Sequence, residues 1–277
     1  MSLKPLAALL FPLACLASAA AAETVHFRSA TWPPTPLQSS HAPSGRTLAE
    51  QASVRLAGEL HRPPGAGPFP AIVLLRDCSG RLPQPLEDAQ SARYLALGYA
   101  LLLVDSLGPR GISDGCSGPG LSVDTVMDAY GALLYLTTLP FVDPERIAVL
   151  GYSEGATAAL SAVAFDGVER LFSARFHAAV AYYPLCLGRD GAVAAPTLIL
   201  IGELDDWAPV RYCREMMAHR RELGEALKLV VYPTARHAFD VRLGPRSHYG
   251  YRLEYDQAAD RAAWGETVEL LRQAFGR

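Results

Sequence analysis

A serine stands between two glycines in the stretch I-A-V-L-G-Y-S-E-G, directly after an apolar run. Gly151 and Gly155 flank Ser153 at a spacing that suits a sharp turn from a strand into a helix, where larger side chains would clash. Small residues follow, as expected for a helix that packs closely on a sheet. The pattern predicts a strained turn that presents Ser153 as a nucleophile and offers the backbone amide of Glu154 to a developing oxyanion.

A serine nucleophile needs a general base and a carboxylate that orients the base. His237 follows an apolar run in the motif A-R-H-A-F-D, and Asp205 and Asp206 follow another in G-E-L-D-D-W. The order Ser, Asp, His along the chain is that of α/β-hydrolases. At this point either aspartate could orient His237, and the other interpretation of Asp205 is a cap for a helix that begins near Pro209.

The elements that must position these residues are short apolar runs that alternate with helical periodicity. The runs are Thr24 to Ser29, Ala71 to Leu75, Tyr99 to Asp105, Ile147 to Leu150, Ala178 to Tyr183, Thr197 to Ile201 and Leu227 to Tyr232. The stretches with helical periodicity are Pro85 to Leu97, Val123 to Leu139, Gly155 to Phe165, Pro209 to Leu223 and Gln257 to Phe275.

Strands that are apolar throughout are buried on both sides, so the alternation indicates a mostly parallel central sheet with helices on both faces. The sequence therefore predicts an α/β fold in one domain over residues 54–277, after an extended lead-in over residues 23–53. Functional residues collect in the loops at the carboxyl ends of such strands. Ser153, His237 and both aspartates all occupy loops of this kind.

Composition excludes several classes of partner. The chain has 277 residues, 50% hydrophobic and 19% charged, with a formal net charge of −3, which suits a sizeable core. No basic stripe interleaved with aromatic residues occurs, so nucleic acid is not an expected partner. The cysteines lack the two-residue spacing of a zinc knuckle, and we expect no metal and no cofactor.

The N-terminus predicts export. Lys4 precedes an apolar stretch too short to span a bilayer comfortably and a tail of small residues, which indicates a signal peptide over residues 1–22, cut near Ala22. An uncleaved membrane anchor is the alternative. Cleavage would leave no stable membrane span and a periplasmic or secreted protein.

Four cysteines remain after cleavage, and an oxidising compartment favours two disulfides. Cys78 and Cys116 both lie in loops after predicted strands, whereas Cys186 and Cys213 flank the strand and loop that carry the aspartates. We therefore expect the pairs Cys78–Cys116 and Cys186–Cys213. The backbone amide of Cys78, in the turn R-D-C-S-G, is also the expected second donor to the oxyanion, which is compatible with a disulfide through its sulfur.

Three further residues are candidates for the substrate pocket. Arg110, after a predicted strand, could bind a substrate carboxylate or form a buried ion pair. Tyr152 and Trp207 border the site and either line an apolar pocket or simply pack in the core.

Five motifs together resemble the dienelactone hydrolase family of α/β-hydrolases, and most closely its exported branch with a serine nucleophile. They are L-L-R-D-C-S-G, V-D-S-L-G-P-R-G, G-Y-S-E-G, G-E-L-D-D-W and A-R-H-A-F-D. The resemblance covers nearly all of the chain from about Val54. It implies an α/β-hydrolase fold, a triad of Ser153, Asp205 and His237, and metal-independent hydrolysis of a small-molecule ester or lactone.

Two departures from the family pattern bear on this expectation. Founding members carry cysteine where this chain has Ser153, and relatives usually carry His-Gly where it has Arg76 and Asp77. The Asp77 carboxylate would oppose an oxyanion unless it turns away or pairs with Arg76 or Arg110. Two other functions stay open: a serine peptidase of the prolyl-oligopeptidase type, which normally has a large extra domain, and a binding protein with a decayed site.

Overall fold

The computed structural model describes residues 22–33, 53–116, 123–220 and 225–276. The predicted signal peptide lies outside the described residues except for Ala22, and so do residues 34–52 of the predicted lead-in. No helix in the described ranges is both long enough and apolar enough to cross a lipid bilayer.

An eight-stranded sheet forms the centre of the protein, in the order β1-β2-β4-β3-β5-β6-β7-β8. Its strands are β1 (Glu23–Arg28), β2 (Arg55–His61), β3 (Phe69–Leu75), β4 (Ala100–Asp105), β5 (Val142–Tyr152), β6 (Ala178–Tyr182), β7 (Thr197–Gly202) and β8 (Leu227–Tyr232). Strand β2 runs antiparallel to β1 and β4, and every pairing from β4 to β8 is parallel. The predicted mostly parallel sheet is therefore confirmed.

Helices lie between the parallel strands. The α-helices of the described residues are α1 (Gln84–Ala96), α2 (Thr125–Thr137), α3 (Glu154–Ala162), α4 (Arg211–Ala218) and α5 (Gln257–Phe275). Helix α1 meets α5 where the ring of Tyr94 packs edge-on against Trp264. Helix α2 meets α3 where the Tyr130 hydroxyl donates to the carbonyl of Ala162. All seven residues of β3 are buried, as its continuous apolar sequence predicts.

Three strands lack the continuous apolar sequence and were not predicted. In β2 the burial alternates along most of the strand, because it lies near the edge of the sheet and buries mainly one side. A separate hairpin follows β8 and consists of β9 (Arg246–His248) and β10 (Tyr251–Leu253). Each strand of this hairpin has only three residues, too few for a period to show in the sequence.

Two disulfides connect loops of the domain to neighbouring segments, and they join the expected pairs of cysteines. The bond between Cys78 and Cys116 connects the loop after β3 to the loop after β4. The bond between Cys186 and Cys213 connects the loop after β6 to helix α4. Both bridges therefore constrain segments that leave the carboxyl ends of strands.

Candidate active site

The turn between β5 and α3 holds Ser153 in a conformation that few non-glycine residues adopt, with φ of 53°. Its amide donates to the carbonyl of Tyr182, which fixes the turn against β6. A Cβ at Gly151 would come within 2.1 Å of the carbonyl oxygen of Gly155, and a Cβ at Gly155 within 2.4 Å of that of Arg76. Both glycines are thus required by the close approach of backbone to backbone.

Ser153, His237 and Asp205 form a chain of hydrogen bonds. The Oγ of Ser153 lies 2.9 Å from Nε2 of His237, and Nδ1 of His237 lies 2.8 Å from Oδ2 of Asp205. With the proton of the neutral ring on Nδ1, that nitrogen donates to the carboxylate and Nε2 accepts from the serine hydroxyl. His237 is 3% exposed and Asp205 5%, so water has little access to either.

The two adjacent aspartates point to different partners. The second carboxylate oxygen of Asp205 accepts from the backbone amides of Trp207 (3.0 Å) and Ala208 (2.7 Å), so the loop itself fixes its direction. The carboxylate of Asp206 instead accepts from the amide of Arg252 in β10 at 3.2 Å. The structure therefore brings Asp205, and not Asp206, to His237.

A cavity of about 310 Å³ opens above the serine. The described residues that line it are Cys78, Gly115, Cys116, Ser153, Glu154, Thr157, Tyr183, Leu185, Trp207, Ala208 and His237. They come from the loops after β3, β4, β5, β6, β7 and β8, so the carboxyl ends of the parallel strands together form the site.

Glu154 and Cys78 both line this cavity together with Ser153. Glu154 is the first residue of α3, where an amide has no acceptor within the helix. The carbonyl of Cys78 accepts from the amide of Gly115 at 2.7 Å, which anchors its loop. These are the two residues whose amides the sequence analysis assigns to the oxyanion.

Asp77 turns into its own loop and pairs with neither Arg76 nor Arg110. One of its oxygens accepts from the amide of Ser79 at 3.0 Å and from the Ser79 hydroxyl at 2.6 Å. Burial and the neighbouring Asp77 carboxylate together raise the pKa of the Glu154 carboxyl. The negative charge of Asp77 therefore acts on a residue that lines the cavity.

Arg110 forms the buried ion pair that was one of its two alternatives. Its two terminal nitrogens contact the two carboxylate oxygens of Asp128 at 2.8 and 2.9 Å, and one also donates to the carbonyl of Ser106. Burial raises the pKa of the Asp128 carboxyl, and the hydrogen bonds from Arg110 oppose that shift. Arg110 is not among the described residues that line the cavity.

Tyr152 and Trp207 have different environments. Tyr152 is 7% exposed, its hydroxyl lies 3.2 Å from that of Tyr94, and it does not contribute to the described cavity lining. Trp207 lines the cavity, and its ring centroid lies 5.1 Å from that of His237. Tyr251 of the hairpin stacks on Trp207 at 5.0 Å, so β10 supports this wall.

Tyr183 is a site residue that the sequence analysis missed. Its ring lies 4.7 Å from that of His237, and its hydroxyl donates to Asp240 at 2.8 Å. Burial, opposed by this hydrogen bond, raises the pKa of Asp240 to about 6. The available signals were the position of Tyr183 directly after β6 and of Asp240 three residues after His237.

Sequence comparisons relate this chain to known proteins. The model of the dienelactone hydrolase family matches residues 56–275. A Bradyrhizobium protein named as a probable 2-oxo-3-(5-oxofuran-2-ylidene)propanoate lactonase is 24% identical over 228 residues, which cover 77% of this chain and 87% of that protein.

Solved structures share the fold. A dienelactone hydrolase-like promiscuous phosphotriesterase from metagenomic libraries aligns with a TM-score of 0.64 and 19% identity, over 91% of this chain and 98% of the other. An esterase from Pyrococcus furiosus aligns with a TM-score of 0.62 and 15% identity, over 92% and 93%. At these identities the likeness concerns the arrangement of the elements.

Proposed function

This chain belongs to the dienelactone hydrolase family, and we propose that it is a serine hydrolase that cleaves carboxylic esters or lactones through an acyl-enzyme intermediate. The observation that carries the proposal is the hydrogen-bonded chain from Asp205 through His237 to Ser153 at the floor of the cavity. Family members and structural neighbours are named as lactonases and esterases, which agrees with this class of reaction.

The first half of the reaction forms the acyl-enzyme. Ser153 Oγ attacks the carbonyl carbon of the substrate while Nε2 of His237 takes the hydroxyl proton. Asp205 keeps the ring in the correct tautomer and stabilises its charged form. The amides of Glu154 and Cys78 bind the oxyanion of the tetrahedral intermediate, which collapses as His237 returns the proton to the leaving alcohol.

The second half releases the acid. Water takes the place of the alcohol, loses a proton to Nε2 of His237 and attacks the acyl carbon. The second tetrahedral intermediate then expels Ser153 Oγ, to which His237 returns the proton. The cavity of about 310 Å³ is at the small end of ligand sites, which favours a small ester or lactone over a peptide.

The same proposal includes export by a signal peptide over residues 1–22 and a catalytic domain over residues 54–277, preceded by the lead-in over residues 23–53. Two disulfides support an oxidising compartment, periplasmic or outside the cell, because reducing compartments keep thiols free. The family match over residues 56–275 supports the domain limits, whereas β1 extends the sheet into the lead-in.

Hydrolysis of p-nitrophenyl acetate tests the proposed reaction. We expect turnover by the unmodified protein, loss of at least about 10⁴-fold in kcat for Ser153→Ala, and retained activity for Ser161→Ala in the following helix α3. Preference for an aminoacyl-nitroanilide would instead indicate a peptidase. Absence of turnover on both substrates would indicate a binding protein.

A further inference from the structure

We propose that the cavity selects esters that carry a cationic group over esters that carry a carboxylate, and that the side chain of Glu154 determines this preference. The inference rests on the proposed function, because it concerns the substrate of the same site. Its evidence is the distribution of charge and aromatic rings around Ser153.

Among the described residues, the carboxylate of Glu154 has no positive partner. It follows the nucleophile directly, lines the cavity and keeps part of its surface exposed to solvent. Within the described ranges no hydrogen bond or ion pair of less than 4 Å joins its side chain to another residue. Partial burial and the neighbouring Asp77 raise the pKa of Glu154, and no cation of the described residues opposes this shift.

Three arginines of the loops that contribute to the cavity are paired with carboxylates. Arg76 contacts Glu87 at 2.8 Å, Arg110 contacts Asp128 at 2.8 Å, and Arg236 contacts Glu254 at 3.6 Å. The described lining contains no lysine or arginine. A carboxylate-bearing substrate would therefore meet Glu154 with no cation to balance it, and like charges placed together are unfavourable.

An aromatic ring completes a surface that suits a cation. Trp207 lines the cavity and packs against His237, and Tyr251 stacks on it. Tyr183 adds little surface, because it is 2% exposed. The face of an aromatic ring attracts an ammonium group, and tryptophan does so best. A positively charged substituent near Trp207 would gain from its ring and from Glu154, whereas an uncharged one would gain only apolar contact.

Three p-nitrophenyl esters of matched shape test the preference. Their acyl groups are 4-(trimethylammonio)butanoate, the uncharged isostere 5,5-dimethylhexanoate, and the glutarate half-ester, which carries a carboxylate at the same position. At low ionic strength we expect kcat/KM to fall in that order, with at least about a tenfold difference between the cationic and anionic esters.

Glu154→Gln isolates the contribution of the side chain, because it retains the backbone amide that faces the oxyanion. We expect the ratio of kcat/KM between the cationic and uncharged esters to fall by about three- to fivefold. Glu269→Gln, an exposed substitution on α5, is the matched control and should preserve the ratio. Melting temperatures of both variants verify that they fold.

Two results would overturn the inference alone: hydrolysis of all three esters without a cationic preference, or a preference that Glu154→Gln leaves unchanged. Failure to hydrolyse any of the three esters would overturn the proposed function and this inference together. The uncharged ester thus separates the two failures.

Discussion

Asp205 and Asp206 are neighbours with different partners, which predicts different consequences of the same substitution. Asp205→Asn should lower kcat by about 10⁴-fold, because an amide facing Nδ1 favours the wrong tautomer of His237. Asp206→Asn should cost less than about tenfold, since its carboxylate contacts the hairpin amide of Arg252. Steady-state kinetics on p-nitrophenyl acetate measure both variants, and greater damage from Asp206→Asn would contradict the assignment.

Asp240 predicts a pH-dependent stability. Its pKa is raised to about 6 in the folded protein, mainly by burial, so between about pH 4 and 6 the folded state holds a proton that the unfolded chain has lost. The free energy of unfolding therefore falls as the pH rises through this interval. Asparagine does not titrate and can still accept from Tyr183, so Asp240→Asn should raise the melting temperature more at pH 7.5 than at pH 4.

Calorimetry at several pH values measures this difference. Asp88→Asn, which removes one exposed carboxylate from α1, is the matched control. An equal effect of Asp240→Asn at pH 4 and pH 7.5 would show that the ionisation of Asp240 is not linked to folding.

Residue types and their order along the chain predict Ser153, His237 and one of two adjacent aspartates as the candidate triad, because each follows an apolar run within a few residues. Spacing could not separate Asp205 from Asp206, because the direction of adjacent side chains depends on how the loop's own amides bind them. The roles of Tyr183 and Arg110 depend on residues distant in sequence, Asp240 and Asp128, and no local pattern contains that information.

At the scale of elements, the strands that the sequence predicts are those that contain a run of apolar residues. The strand β8 has the expected limits, and β3 differs by two residues at its start. The antiparallel β2 and the short β9–β10 hairpin could not be predicted from their own residues, because they depend on pairing with neighbouring strands. The hairpin matters for the site because it places Tyr251 against Trp207.

The two disulfides should contribute similarly to stability and differently to activity. They close loops with sequence separations of 38 and 27 residues, so losing either bridge should cost about 3 to 4 kcal/mol of folding free energy. The double variant Cys78→Ala with Cys116→Ala should also lower kcat/KM, because it frees the loop that presents the Cys78 amide. The variant Cys186→Ala with Cys213→Ala should lose less of its kcat/KM than the Cys78 and Cys116 double variant.

Urea unfolding and ester kinetics on the two double variants check this expectation. Equal losses of kcat/KM in both variants would indicate that the loop of Cys78 has no special part in the reaction.

At the scale of the whole molecule, the parallel sheet explains how residues far apart in sequence form one site. Ser153, Asp205 and His237 leave the carboxyl ends of β5, β7 and β8, and β6 lies between β5 and β7. The close approach of the last two loops requires Gly202, where a Cβ would lie 2.2 Å from the carbonyl oxygen of Ala235. The sheet thus provides a rigid scaffold, and the loops after its strands carry the candidate catalytic residues.

The central claim is that Ser153 is the nucleophile, and labelling with a fluorophosphonate probe tests it most directly. The probe reacts with an activated serine, so intact-mass spectrometry should show one adduct per chain, and peptide mapping should locate it at Ser153. Ser153→Ala and prior denaturation should each abolish the adduct, because activation needs both the hydroxyl and its folded contact with His237. An adduct at another residue, or one that persists in Ser153→Ala, would contradict the account.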